Sequence, residues 1–253
     1  MTVRVIDGHV HLGTGWNGTE ASNSKMLAAE LRKRGVEKAV AMTLRGLMPN
    51  CDVAEENNIL KELADQEPEM YVPFCTVNPH QGEEAVSELR RAVKELGMRG
   101  LKLHPWLQAF SITHPNLENI LEEAVRLRIP IIFHDGTPPY STPLQICDLA
   151  ERYPDATIIL GHSGLKDLWK NAINCAARCD NVHLCICGTP FKGIKQMVED
   201  IGPERMIFGS DAGFSDPHLI DYRVGQILKL KIAEEEKEKI LGLNIAKILH
   251  IKS

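Results

Sequence analysis

The 253-residue sequence contains no apolar run approaching the ~18 residues that a membrane-spanning helix requires. It also lacks any long basic block, and its formal net charge is −5. The short run Leu31-Arg-Lys-Arg34 falls late in an amphipathic stretch, where cations suit a helix C-terminus. The electrostatic footprint of a nucleic-acid binder is therefore missing, and neither nucleic acid nor membrane is an expected partner. No Cys-x-x-Cys pair occurs among the seven cysteines. An odd count with no secretory leader favours free thiols in a reducing cytoplasm over a disulfide framework. Cys185 and Cys187 alternate on an apolar stretch, and with Cys175 and Cys179 they are read as buried core thiols. No linker, repeat or low-complexity stretch divides the chain, so residues 1–253 are expected to form one domain.

A glycine-rich turn leading straight into a helix is also absent. Gly13, Gly15 and Gly18 have the spacing of a dinucleotide-binding turn, but they follow a pair of histidines and open a polar loop. This argues against an open doubly wound sheet. What is present is a regular alternation. Apolar runs at residues 3–11, 38–43, 71–77, 100–105, 130–135, 156–162, 181–187 and 205–211 are each followed by a stretch of helical periodicity. Short apolar strands suit a parallel sheet buried on both faces. Eight β-α units in about 250 residues predict one closed (β/α)8 TIM barrel. The predicted helices include 25–34 with Ser24 as cap, one through Ala64 capped by Asp52, and one through Arg128 capped by Asn116. Pro73 inside the third run argues against a central ladder position there.

In such a barrel the active site forms at the C-terminal ends of the strands. Those ends carry His9 and His11, Lys102 and His104, His134 and Asp135, His162, and Asp211. His9 and His11 are two apart, so on a strand they share a face. Several imidazoles with a carboxylate suit Zn²⁺ first, and also Fe, Co, Ni or Mn. Such an ion lowers the pKa of bound water to about 7, so that hydroxide is available near neutral pH. Arg45, just past the second strand, is placed to clamp a substrate carboxylate or to sit solvated in its loop. Trp16, Trp106, Phe110 and Tyr140 fall in loops that either wall a pocket or cover the rim.

The motifs Asp7-Gly-His-Val-His11, Gly100-Leu-Lys-Leu-His-Pro105, Ile132-Phe-His-Asp135, Gly161-His-Ser-Gly164, Phe208-Gly-Ser-Asp211 and Ile240-Leu-Gly-Leu-Asn-Ile-Ala246 resemble the amidohydrolase superfamily. The nearer resemblance is to its second, ACMSD-like family, which holds both hydrolases and decarboxylases. That resemblance implies His9, His11, His134 and Asp211 as ligands of one metal, Asp211 also as the proton-transfer group, and His162 as the catalytic histidine or a ligand of a second ion. Lys102 is implied as a carboxylated bridge between two metals or as a substrate-binding amine, alongside His104 and Arg45. The leading expectation is a zinc-dependent hydrolase of an amide, lactone or ester of a small anionic molecule. The alternative is a non-oxidative decarboxylase of an unsaturated or aromatic acid. A homodimer is compatible with an exposed barrel helix.

Overall fold

The computed structural model describes residues 4–18 and 21–251. Val3, the expected start of the first strand, lies outside them. The strands are β1 (Val5–Thr14), β2 (Ala21–Ser22), β3 (Val36–Thr43), β4 (Tyr71–Thr76), β5 (Leu101–Leu103), β6 (Ile131–Phe133), β7 (Ile158–Leu160), β8 (Val182–Cys185) and β9 (Met206–Ile207). From β1 through β3 to β9 every neighbour is parallel and in chain order. The ends of this row meet. Gly8 N donates to Phe208 O at 2.9 Å, Asp211 N to His9 O at 2.8 Å and His11 N to Ala212 O at 2.7 Å. These bonds form a seam between β1 and the segment after β9, closing the eight parallel strands into a (β/α)8 barrel.

Around the barrel run α1 (Ser24–Lys33), α2 (Val53–Asp65), α3 (Glu83–Lys94), α4 (Leu117–Leu127), α5 (Pro143–Arg152), α6 (Trp169–Arg178), α7 (Phe191–Asp200) and α8 (His218–Leu228). A last helical stretch comprises α9 (Glu234–Glu238), a π-helical turn at Lys239–Leu243 and α10 (Asn244–Ile248). Strand residues alternate between two apolar regions. One face of each strand packs outward on the helices, as Val10, Leu103, Ile131 and Leu160 do. The other fills the barrel with Ile6, Val40, Met42, Phe74, Ile132, Ile159, Cys185 and Ile207, closed from below by Ile245, Ala246 and Leu249. No described helix is long and apolar enough to cross a membrane.

Local details differ from expectation for identifiable reasons. Asn23, not Ser24, caps α1 by accepting from Met26 N, because Ser24 Oγ donates instead to Leu63 O at 2.6 Å. Asn116 stands at the start of α4 without a capping bond, since its Nδ2 donates to Pro79 O. Asp52 does cap α2. Pro73 sits in an interior strand. It pairs with Ala41, while β5 joins β4 only from Cys75 onward, so its missing N–H leaves no gap in that ladder. The loop expected at Gly13 begins later, because β1 continues to Thr14 and pairs antiparallel with β2.

Candidate metal centre

The site begins with Asp7, which is buried in β1. Its Oδ1 accepts from His9 N at 3.1 Å and from Ser210 N at 2.9 Å, tying the two sides of the seam together. Burial pushes its carboxyl up to about 6. His9 and His11 then face the barrel mouth. His9 Nδ1 lies 3.2 Å from Gly161 O and donates to it, which leaves the Nε2 lone pair turned into the mouth. Nε2 is 3.5 Å from Asp211 Oδ1 and 3.4 Å from Lys102 Nζ. His11 Nε2 is 3.1 Å from the same Asp211 oxygen, and its Nδ1 is buried without a hydrogen-bond partner. Asp211 adopts φ 61°, a left-handed conformation uncommon for Asp, at the point where the chain leaves the seam. Burial works to raise its carboxyl, and the bond from His11 together with the neighbouring imidazoles of His9 and His162 more than offsets this, holding it below the usual carboxylate range.

Lys102 is only 1% exposed, and no carboxylate of the described residues lies within 4 Å of its ammonium. Burial brings its pKa down to about 8. His104, two residues on, accepts from Leu107 N through Nδ1, so its proton sits on Nε2. Its ring stacks on His134 at 3.7 Å. His134 Nε2 is turned to Thr137 Oγ1 at 2.9 Å. Desolvation holds His9, His104 and His134 well below the ordinary imidazole range, hence neutral. His162 is placed by Asp135, whose Oδ1 accepts its backbone N–H at 2.7 Å. Its Nδ1 is 3.2 Å from Cys187 O and 3.2 Å from Cys187 Sγ.

Two glycines make this density possible. A Cβ at Gly161 would come within 2.6 Å of Phe133 O and 3.4 Å of the His9 ring. A Cβ at Gly209 would meet Cys185 Sγ at 2.6 Å and His9 Cβ at 3.1 Å. A side chain at Gly161 would force the Phe133 carbonyl aside, and one at Gly209 would crowd Cys185 and His9.

Above these groups opens a cavity of about 420 Å³. Its floor is His11, Lys102, His104, His134, His162 and Asp211, and its walls are Trp16, Leu44, Trp106, Leu107, Leu165, Phe214 and Ser215. Trp16 and Trp106 meet edge to face at 6.5 Å. Arg45 is outside this lining, in a 3-10 turn at Arg45–Leu47. Phe110 is buried in the core between strands and helices, and Tyr140 is on the surface. Cys187, read from sequence as a core thiol, is fully buried inside the barrel, with Sγ 3.2 Å from His162 Nδ1. Asp7 and Asp135 act by holding backbone N–H groups rather than facing a ligand. The signal for both was available: each is a buried-strand Asp next to a histidine motif.

A divalent ion fits this donor set. The ligating atoms of His9, His162, Cys187 and Asp211 all lie within 4.8 Å of one another, and His11 Nε2 reaches the same carboxylate. The His9 ring is neutral, the form that coordinates, and a backbone carbonyl is the partner of Nδ1 in both His9 and His162.

The chain belongs to the amidohydrolase family: the family model described as Amidohydrolase matches residues 6–251. It is similar to the 2-amino-3-carboxymuconate-6-semialdehyde decarboxylase of Dictyostelium discoideum, 21% identical over 236 residues. That match takes in 76% of this chain, which spans 65% of the relative's length. Among solved structures it resembles 5-carboxyvanillate decarboxylase LigW from Sphingomonas paucimobilis, with a TM-score of 0.78 at 16% identity over 99% of this chain and 100% of the other. It also resembles the 5-carboxyvanillate decarboxylase of Novosphingobium aromaticivorans, solved with manganese and a nitrobenzoic acid, with a TM-score of 0.77 at 15% identity over 98% and 96% of the two chains. At these identities the structural likeness supports the barrel fold.

Proposed function

We propose that this chain is a metal-dependent, non-oxidative decarboxylase of a small unsaturated or aromatic carboxylic acid, working as one domain over residues 1–253 in a reducing, cytoplasmic setting. The observation that carries this reading is the cavity itself. Its walls are mainly apolar and carry three aromatic rings, Trp16, Trp106 and Phe214, and its floor holds a buried lysine with no carboxylate partner within 4 Å among the described residues. A planar acid fits between Trp16, Trp106 and Phe214 with its negative charge directed at Lys102.

In the proposed arrangement His9, His11, His134 and Asp211 hold the ion, His134 turning away from Thr137 to do so. The bound ion, Zn²⁺ or Mn²⁺, would act as a Lewis acid that orients and polarises the carboxylate-bearing substrate. Lys102 and the Nε2–H of His104 bind the oxygens of the substrate. His162, beside His9 and His134, has its Nδ1 held by Cys187 O and accepts a hydrogen bond from a substrate hydroxyl through Nε2. The carbon–carbon bond to the carboxylate breaks, its electron pair stays on the substrate carbon, and CO₂ leaves. Asp211, ionised in the resting site, takes up a proton from solvent and passes it to that carbon, which replaces the lost carboxylate. Arg45, standing outside the cavity lining, has no part in this scheme.

The hydrolase expectation gives way here because the named relatives support carbon–carbon cleavage more than acyl transfer. The test is product analysis in ¹⁸O-labelled water with hydroxybenzoate and carboxymuconate-type acids. Released CO₂ with no solvent oxygen in the organic product is the expected result. Solvent oxygen in the product without CO₂ would replace this reading with hydrolysis, and a second equivalent of metal would then promote Lys102 to a carboxylated bridge.

A further inference from the structure

We infer that Cys187 is a sulfur ligand of the metal centre, and that it makes the site prefer thiophilic ions. The inference rests on the reading that this mouth holds a divalent metal. It adds a donor that the all-nitrogen-and-oxygen set of the proposed ligands does not contain.

The argument starts from strand direction. Cys185 ends β8 and belongs to the apolar layer inside the barrel. Ile186 turns outward to the helices, so Cys187 again points inward, one step higher along the barrel. That step brings its sulfur level with the imidazoles. Cys187 Sγ lies 3.2 Å from His162 Nδ1, and Sγ belongs to the group whose ligating atoms lie within 4.8 Å of one another, with His9, His162 and Asp211. Ligand atoms sharing one tetrahedral ion at ~2.0–2.3 Å stand roughly 3.3–3.8 Å apart. A small rotation of the Cys187 side chain therefore brings its sulfur onto an ion shared with His9 and Asp211.

Binding is balanced by one proton: the thiol loses H⁺ to solvent as sulfur bonds the cation, because a coordinating thiol is deprotonated outright. Sulfur is a good donor for Zn²⁺, Co²⁺ and Cd²⁺ and a poor one for Mn²⁺. An ion set that includes Cys187 therefore ranks these metals differently from a set of imidazoles and a carboxylate. A second buried thiol group, Cys147, Cys175 and Cys179, lies between α5 and α6 and serves as an internal control. Its sulfurs have only each other and backbone carbonyls as partners, with Cys147 and Cys179 3.5 Å apart.

The experiment loads the metal-free protein with Co²⁺ and records its absorption, which reports coordination without any turnover. The expected spectrum has visible ligand-field bands at one equivalent and a near-ultraviolet sulfur-to-cobalt band. In Cys187→Ser the near-ultraviolet band disappears while the visible bands remain, and in Cys179→Ser both persist. Cys187→Ala, which buries no hydroxyl, is the second variant should serine disturb folding. Zn²⁺ affinity is expected to fall by more than about 100-fold in Cys187→Ala, beyond the loss typical of a residue that only supports a ligand, while Mn²⁺ affinity changes less than about threefold. Visible bands in the native protein without the near-ultraviolet band would overturn the role of Cys187 and leave the metal reading standing. A sulfur band that vanishes in Cys179→Ser instead would place cobalt between the helices and overturn the inference. Failure to bind cobalt at all would overturn both.

Discussion

The barrel interior has two layers built on the same strands with opposite chemistry. The lower layer is apolar: Ile6, Val40, Met42, Phe74, Ile132, Ile159 and Ile207. The upper layer is His9, His11, Lys102, His104, His134, His162 and Asp211. Two residues along one face suffice to pass from one to the other, as from Ile132 in β6 to His134 just past its end. The lower layer gains stability by burying apolar area at roughly 25 cal/mol per Å². The upper layer spends some of it, because an amine and several imidazoles are held out of water with few partners. The comparison teaches that the fold is maintained from below while the chemistry is arranged above.

The largest effect that tests this division is loss of the upper layer's centre. His9→Ala or Asp211→Asn should lower metal affinity by more than the ~10–100-fold typical of residues that merely support a ligand. Activity should fall with it, while far-ultraviolet circular dichroism stays native. Full metal content and full rate in both variants would refute the assigned centre. Next comes Phe74→Ala in the lower layer, where the ring is fully buried. It should cost about 3–5 kcal/mol in denaturant unfolding yet leave metal stoichiometry unchanged at 25 °C. A change in stoichiometry without a change in stability would mean the layers are not separable.

Lys102→Met runs the other way. It removes a buried amine lacking a carboxylate partner and fills the space with an apolar chain of similar length. Unfolding free energy should rise by about 1–3 kcal/mol, with a higher KM for an acidic substrate. A loss of stability would show that Lys102 is satisfied by its surroundings. The smallest effect belongs outside both layers. Arg90 grips Glu123 with two hydrogen bonds of 2.8 Å, holding that carboxyl below its usual range. A carboxylate lowered in this way stabilises the fold above its unfolded pKa and ceases to do so as pH falls through its lower folded value. Acid unfolding monitored by fluorescence should therefore start at a higher pH in Arg90→Ala, with no change in metal binding.

Much of the upper layer was legible because a barrel gathers strand ends, so histidines at the close of apolar runs must meet wherever they stand in sequence. His11 and Asp211, 200 residues apart, touch for that reason. The helices and their order were legible from periodicity. What was not legible depends on a turn or a contact that no spacing encodes. The buried Cys187 reaches His162 only because the inward alternation of β8 continues two residues past its last ladder pair. Arg45 misses the cavity because a 3-10 turn follows Leu44. Asn23 displaced Ser24 as a cap because Ser24 found a carbonyl on a neighbouring helix. Hydrolysis against decarboxylation was open in sequence because the same imidazoles and carboxylate serve both.

The seam has a consequence for how the protein is made. His9 and His11 are synthesised early and Asp211 late, yet the three side chains form one group across the β1–β9 closure. At a translation rate of about 5–20 residues per second, roughly ten to forty seconds separate the first histidine from its carboxylate. During that interval no nascent chain can present the assembled donor set to a metal. Ion capture thus becomes an event of the closed barrel, and loading reports that the last strand has docked onto the first.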